Sequence, residues 1–481
     1  MKKTTKTLRA DLQVENLEDR LALSLTTSTL SGGMIYLRSD NAASNVYVSR
    51  TSTDIRIQDL TNGFTQSYNA SLVNKVQYEG GAGNDRFVNL VSTLPVQAWG
   101  YGGNDYLEGF NGKDTFVGGD GNDILKGYGG NDSMWGGNGD DVLLGMDGDD
   151  SLVGSAGNDQ VNGGAGSDHI WGGTGRDVLI SLDSGTWDYV EGNEDRDIFW
   201  KDSADSIISG ESQDVFQNVS FFSNGADRSL NGDRITDPTA LSGHTYKRFS
   251  NNPLFGASGP KLTDIQQGGL GDCYFMAALG AVANDNSFAI RSRVVDFNDG
   301  TYGVRFGSRF YRVDNDLPVS SSTSTSPAYA KLGASNSMWV AVMEKAFAHF
   351  RTGGNTYASI ENGWSKEVNA ALGSTSSGGK SIGSYSSASA MANDIFSRWN
   401  SYQAVTVGFT GLGMGVPLVD DHMYTVVSVQ RNSSGVVTSI TLRNPWGTDG
   451  VSIDANPNDG LIVVTPAQIF SCIGQVNWGR V

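Results

Sequence analysis

From Gly100 to Ile180 the chain runs through nine consecutive nonapeptides of the form G-x-x-G-x-D-x-U-x, where U is apolar. The first and fourth positions are glycine in all nine copies, from Gly100 and Gly103 to Gly172 and Gly175. The sixth is always aspartate: Asp105, Asp114, Asp123, Asp132, Asp141, Asp150, Asp159, Asp168 and Asp177. The eighth is always apolar, from Leu107 and Phe116 to Ile170 and Leu179. An outlying copy, GGAGNDRFV, starts at Gly80 and carries Asp85; a degraded copy runs over 192–200. A flexible glycine-rich linker does not keep four positions in step over nine copies.

The pattern has a physical reading. Glycine permits the left-handed backbone of a tight turn. The aspartate closes that turn with a hard oxygen ligand, and x-U-x forms a three-residue strand whose middle side chain points inward. Stacked turns then share the roughly six to eight oxygens that calcium takes, whereas stacked aspartates without a cation repel one another. The unit resembles the RTX-type calcium-binding nonapeptide repeat. That resemblance implies a parallel β-roll, Ca2+ as cofactor, and Asp85 together with the nine repeat aspartates as metal ligands. Lys113 and Arg176 stand at the fifth position, where Asn or Asp is commoner.

Composition agrees with this local use of glycine. Glycine fills 63 of 481 positions, about twice its usual share, and only 10 residues are proline, so a collagen-like chain is excluded. Residues 80–200 hold 21 acidic and 5 basic residues, nearly all of the net charge of −18. Such an acidic block repels phosphate and attracts cations, which excludes nucleic acid as a partner. Two cysteines, Cys273 and Cys472, form no disulfide framework. No run of 18 apolar residues occurs, so no transmembrane segment is expected.

The organisation read from the sequence has five parts. Residues 1–25 carry a basic start without an apolar core and resemble the short LE-x-R-L segment that opens many large bacterial surface and secreted proteins. Residues 26–78 alternate in strand fashion and form a small β-rich unit that caps the repeats. The roll occupies 79–200, a polar linker 201–231, and a second domain 232–481. Calcium sites of moderate affinity fill outside cells and stay empty in cytosol. The expected location is therefore secreted or at the bacterial cell surface, with surface attachment.

In QQGGLGDCYFMAALGAVA (266–283), Cys273 follows a glycine-rich turn and opens an apolar helix. A helix N-terminus favours negative charge, which pushes a thiol toward thiolate. A nucleophilic cysteine also needs a base and a group that orients the base. Of four histidines, His169 lies in the repeats, His244 in the approach to the second domain and His349 in a helical stretch. His422 opens the strand-like run HMYTVVSVQ, and ITLRNPWG follows with Asn444. Cys, His and Asn come in the order of papain-like enzymes, with the last two 149 and 171 residues beyond the first.

QGGLGDCY, WVAVMEKAFA, DHMYTV and RNPWG, in that order, resemble the calpain cysteine-peptidase domain, specifically its bacterial members, over about 232–475. The resemblance implies an α+β papain-like protease core that takes protein or peptide substrates. It makes Cys273 the nucleophile, His422 the general base, Asn444 its orienting group, and Gln267 the donor of an oxyanion-hole amide. Trp446 would shield the Asn–His bond from water. Tyr274 replaces the usual Trp, and Asp420 and Asp421 stand where small residues are usual, with their side chains expected to face water. The chain is thus expected to be multidomain: a parallel β-roll followed by a calcium-dependent cysteine endopeptidase. The alternative is a calcium-binding structural or adhesive surface protein with an inactive peptidase domain. Acyl transfer of the transglutaminase kind is disfavoured by Asn444, since those enzymes normally use Asp there.

Overall fold

The computed structural model describes residues 25–183, 185–208, 212–226, 235–256, 259–351, 353–413, 415–449 and 459–481. All but the last residue of the expected N-terminal export-type segment lies outside them. The contacts divide the chain into two units, 1–219 and 220–481.

The first unit is a parallel β-solenoid. Two nonapeptides make one coil of 18 residues and place one strand in each of two sheets, one of ten strands and one of eleven. Thr115–Asp120 pairs in parallel with Ser133–Asn138, Phe116 opposite Met134. Ile124–Gly129 pairs in parallel with Val142–Asp147, Leu125 opposite Leu143. The apolar eighth residues stack between the sheets, with Phe116, Leu125, Met134, Leu143 and Leu152 all fully buried. Most repeat strands are six residues long rather than the expected three. The ladder continues through the glycines that open the next repeat, because their backbones pair as well as any others.

Two expected boundaries move. The strands of 26–78 are not a separate unit: Met34–Ser39 pairs in parallel with Lys75–Gly81, and Asn45–Arg50 with Arg86–Asn89. Ile35, Val46 and Ile57 join the same core as the repeats. Antiparallel partners at this end, Leu25–Ser31 and Asp54–Asp59, close the stack. At the other end Ser206–Ile208 and Val215–Asn218 extend both sheets into the segment expected to be a linker. The nonapeptide is lost there, but strand pairing needs only backbone and an inward apolar residue.

Glycine serves different needs at different positions. At the first position of the repeat it makes room: a Cβ on Gly136 would lie 2.3 Å from Asp141 Oδ2 and 2.7 Å from the Gly154 carbonyl. At the fourth, Gly139 has φ +130°, a conformation that L side chains rarely adopt. The second position, open to any residue in the sequence reading, also turns to positive φ. Tyr101, Tyr128, Met146 and Ser155 adopt φ of 74°, 76°, 80° and 89° there.

The aspartates form a buried ladder. The backbone N–H of Asp105 donates to Asp123 Oδ1 at 2.7 Å, Asp123 to Asp141, Asp141 to Asp159 and Asp159 to Asp177, one coil apart each time. A second column runs Asp114, Asp132, Asp150, Asp168. Oδ2 of Asp105, Asp123, Asp132, Asp141, Asp150, Asp159 and Asp168 is buried without a hydrogen-bond partner. Asp85 and Asp114 differ, since both of their oxygens accept backbone N–H groups. Burial, reinforced by neighbouring carboxylates, pushes Asp141 and Asp150 up to about 8. Burial likewise pushes Asp105, Asp159 and Asp168 up to about 7.

The second unit has two lobes. In one, the helices Cys273–Asp285 and Trp339–Phe350 pack beside a three-stranded antiparallel sheet. In the other, a six-stranded antiparallel sheet holds Ala404–Gly411, His422–Arg431 and Val437–Arg443 as successive neighbours and is backed by the helix Ala388–Trp399. This is the α+β arrangement expected after the roll. No helix among the described residues is long and apolar enough to cross a membrane.

Two outcomes follow from the ladder. The folded carboxyls keep their protons well above the ~3.9 of an unfolded aspartate, so folding takes up protons between about pH 4 and 8. In chelator, stability from this source is complete below about pH 4 and is lost as pH rises through 6–8. Calcium, which binds the ionised form, should restore it at pH 8. Thermal melts at pH 5 and pH 8, with calcium and with chelator, check the sign; a chelated protein more stable at pH 8 contradicts it. Secondly, Gly136→Ala should cost about 1–3 kcal/mol through overpacking. Gly102→Ala, whose Cβ meets nothing closer than 3.8 Å, should be nearly neutral in the same melts.

Candidate active site

Cys273 opens its helix half-buried, and the ten residues behind it, Tyr274 to Ala283, are all buried. The helix is pressed against the strand that begins at His422. Thr425 Oγ1 donates to the Ala277 carbonyl at 2.7 Å. Gly280 makes this approach feasible, because a Cβ there would meet Thr425 Oγ1 at 3.0 Å. Thr425 is a positioning residue that the sequence reading did not single out, and its spacing carries no signal of the contact.

The loop before the cysteine is tied to the loop after the strand Val437–Arg443. The Gln267 N–H donates to the Pro445 carbonyl at 2.8 Å, and Arg443 Nη1 to the Ile265 carbonyl at 3.1 Å. Gly268 passes so close to other backbone that a Cβ would lie 2.0 Å from the Tyr329 carbonyl. Gln267, Cys273, His422 and Trp446 thereby line one cleft of about 690 Å³, with Trp364 and Asp421 on its rim.

His422 Nε2 lies 2.9 Å from Asn444 Oδ1. The same oxygen accepts the Trp446 backbone N–H at 3.0 Å, while Asn444 Nδ2 reaches the Asp449 carbonyl at 3.4 Å. These bonds fix which end of the amide is oxygen, so Nε2 must carry the proton and Nδ1 is the free acceptor. The Trp446 ring covers the imidazole at a centroid distance of 4.5 Å. Burial lowers the His422 pKa and the Asn444 bond opposes that shift, so the imidazole is neutral near pH 7. Asp420 and Asp421 are both exposed, and Asp421 takes φ 50° in the turn that starts the strand.

The thiol departs from the helix-terminus argument. Burial pushes Cys273 up to about 11, with the neighbouring Asp272 adding to the rise, against backbone N–H donors from Met423 and Tyr274. Desolvation therefore outweighs the helix dipole at this position. Gln267 is also turned inward. Its Nε2 donates to the Leu270 carbonyl at 2.7 Å and to Asp272 Oδ1 at 3.2 Å, while Oε1 is buried without a partner.

Behind the cysteine, Asp272 is hydrogen-bonded to Glu344, and both are buried. Burial and the Asp272 charge hold Glu344 well above the usual carboxylate range, so it keeps its proton and donates to Asp272. The next residue, Lys345, is buried in an ion pair with Asp314 and Asp237. A charged pair inside the apolar helix WVAVMEKAFAHF was the available sequence signal for both. Cys472 is buried elsewhere, donating its Sγ–H to the Gln468 carbonyl at 3.3 Å.

The repeat aspartates suit a hard cation. The orphaned Oδ2 atoms of the seven named above face carbonyls of the next coil: the point 2.2 Å from Asp123 Oδ2 where a Gly118 Cβ would sit is 2.6 Å from the Gly136 carbonyl. Carboxylate and carbonyl oxygens in that proximity are the donor set of calcium.

Comparisons with known proteins bear on the family of each unit. Residues 227–453 match the model of the calpain family cysteine protease. Residues 108–143 and 144–179 match the RTX calcium-binding nonapeptide repeat. The chain is 25% identical over 217 residues to the calpain-type cysteine protease DEK1 of Zea mays, covering 42% of this chain and 10% of that protein. It is 28% identical over 227 residues to human Calpain-14, covering 44% of this chain and 32% of that protein. The match therefore spans a third or less of each relative. Residues 227–453 are a calpain-family cysteine protease domain, and the repeats before them are RTX calcium-binding nonapeptides.

Proposed function

We propose that the chain is a calcium-binding cysteine endopeptidase, secreted or held at the bacterial cell surface, that hydrolyses protein substrates in the cleft beside Cys273. One observation carries the reading. Cys273 and His422 line the same cleft, and His422 has its Nε2 proton committed to Asn444, which leaves Nδ1 as a base.

In this reading Nδ1 of His422 takes the Cys273 proton as sulfur attacks the scissile carbonyl carbon. The imidazolium then returns that proton to the leaving amine, giving a thioester. His422 next deprotonates a water that attacks the thioester, and the thiol leaves with the proton. Asn444 holds the ring through both steps, and Trp446 keeps water from the Asn–His bond. Gln267 supplies an amide hydrogen to the oxyanion, and this requires it to release Asp272. Bound calcium supplies counter-charge to the ladder carboxylates of the roll. A second reading, a surface protein with a silent peptidase domain, draws support from the raised thiol and the inward Gln267.

Labelling Cys273 with a thiol-directed epoxide, read by mass spectrometry, separates the two readings. The peptidase reading expects stoichiometric labelling and cleavage of a denatured protein. Cleavage should vanish in Cys273→Ala and fall on the order of 10²–10⁴-fold in His422→Ala. Cys472→Ser should retain most of it. An unlabelled Cys273 in a folded, calcium-loaded chain makes the silent reading the correct one.

Residues 220–481 have their own cores, so this fragment should fold and keep thiol-dependent cleavage. Parallel calcium titrations of the fragment and the full chain on one fluorogenic peptide check it. A folded but inactive fragment would make the roll a regulator of the protease.

A further inference from the structure

The outer face of the ten-stranded sheet carries a pattern that the nonapeptide does not specify. On this side of the roll the residue just before each coil's opening glycine reads Trp99, Val117, Trp135, Val153, Trp171. These five stand directly opposite one another on successive parallel strands. Their chain neighbours Ala98, Phe116, Met134, Leu152 and Ile170 fill the interior, so the five side chains point outward. On the eleven-stranded sheet the same column reads Glu108, Lys126, Leu144, Asn162, Ile180, with no alternation. The Trp–Val alternation repeats every 36 residues, and neither the turn geometry nor the aspartate ladder asks for it.

Trp135 is 39% exposed, and Trp99 and Trp171 are half-buried. Strands lie about 4.8 Å apart, so an indole recurs about every 9.6 Å along the stack. A parallel sheet normally has both faces covered, and a contiguous apolar stripe left open marks an interaction surface. Beside it runs a second outward column, Gln97, Thr115, Ser133, Ser151 and His169, in the same register. These ten positions hold no Asp, Glu, Lys or Arg, although residues 80–200 carry 21 acids against 5 bases. Charge resumes at the margins. Glu79, ion-paired with Arg38, stands opposite Trp99, and Glu191 stands opposite Trp171.

We propose that this face binds a neutral β-linked polysaccharide, its chain running across the strands along the tryptophan column. Each feature of such a glycan has a counterpart. The axial C–H face of a sugar ring is apolar and stacks on an indole, whose rigid surface costs little conformational entropy to hold. The sugar hydroxyls meet the Gln, Thr and Ser column, whose side chains both donate and accept. The indole spacing is close to the disaccharide repeat of an extended β-linked chain, so every second sugar finds a ring. Charge decides against other partners. The acidic roll around the stripe repels an anionic glycan or lipid surface, and a basic protein finds no carboxylate within it. A globular partner has no translational period to match. The inference is independent of the peptidase reading.

The test uses the full-length, calcium-loaded chain carrying Cys273→Ala, which prevents self-cleavage. Its probes are insoluble cellulose, insoluble chitin and, by affinity electrophoresis, a soluble mixed-linkage β-glucan. Binding to at least one is expected, with equal strength at low and high salt because no charge takes part. Polygalacturonate, the anionic control, should not bind. Trp135→Ala should weaken binding on the order of tenfold or more, as loss of a central tryptophan does at other interfaces, with its thermal melt unchanged. Trp99→Ala is the second variant and should act in the same direction. Ile124→Ala removes a side chain of similar exposure, 37%, from the other sheet and should change nothing. Failure to bind all three neutral glycans overturns the proposal. So does binding that both tryptophan variants leave intact, or that salt abolishes. A glycan-free dimer that dissociates in Trp135→Ala, seen by sedimentation, overturns it too, because the stripe is then an interface between copies.

Discussion

The first unit depends on a confrontation between glycine and aspartate. In every coil the ladder carboxylate occupies the space that a Cβ at the first position would need, about 2 Å from that point. Glycine there is a matter of volume, and glycine at the fourth position a matter of backbone angle. With both in place, the carboxylate tucks under the next turn and accepts the backbone N–H of the preceding coil, and on Asp105, Asp123, Asp132, Asp141, Asp150, Asp159 and Asp168 one oxygen is left unpaired in the interior. That oxygen is the source of the unit's ionic chemistry. A buried carboxylate without a partner is costly, and the choices are to keep a proton or to meet a cation.

The interior of the solenoid and its turns therefore divide the labour. The stack of Leu, Phe, Met and Val side chains between the sheets supplies hydrophobic driving force that is indifferent to ions. The turns supply a charge-dependent term of opposite sign in chelator and in calcium. The coil with two extra residues near Asp183 shows that the pattern tolerates insertion as long as the strand pairing and the N–H to carboxylate bond resume, which they do at Asp188 and Asp197. At Asp205 the column ends, and its carboxylate turns to Ser181 and Asp202 instead.

In the second unit the comparable constraint is a short run of main-chain bonds. The N–H of Gln267 on Pro445 and the guanidinium of Arg443 on Ile265 bring two distant loops together, so Cys273 and Asn444 are placed by one interaction set. Asn444 then orients His422, and the Trp446 N–H orients Asn444. The cleft is rigid in the imidazole and closed in the thiol. Burial outweighs the helix terminus at Cys273, and Asp272, itself steadied by the protonated Glu344, keeps hold of the Gln267 amide.

The nonapeptide period by itself determined the parallel solenoid, its inward stack and the hard-cation character of its turns, because each follows from residue volume and charge at a repeating position. The motifs around Cys273, His422 and Asn444 likewise determined the family of the second unit. Where the roll begins and ends was not legible. Residues 26–78 and 201–219 lack the period, yet strand pairing is a backbone property that needs no motif. The tertiary structure alone decided the ionisation of the cleft. Helix position is written in the sequence, but desolvation depends on what packs around the sulfur, and the cleft beside Cys273 is lined by Trp364, His422 and Trp446 from chain segments far from it.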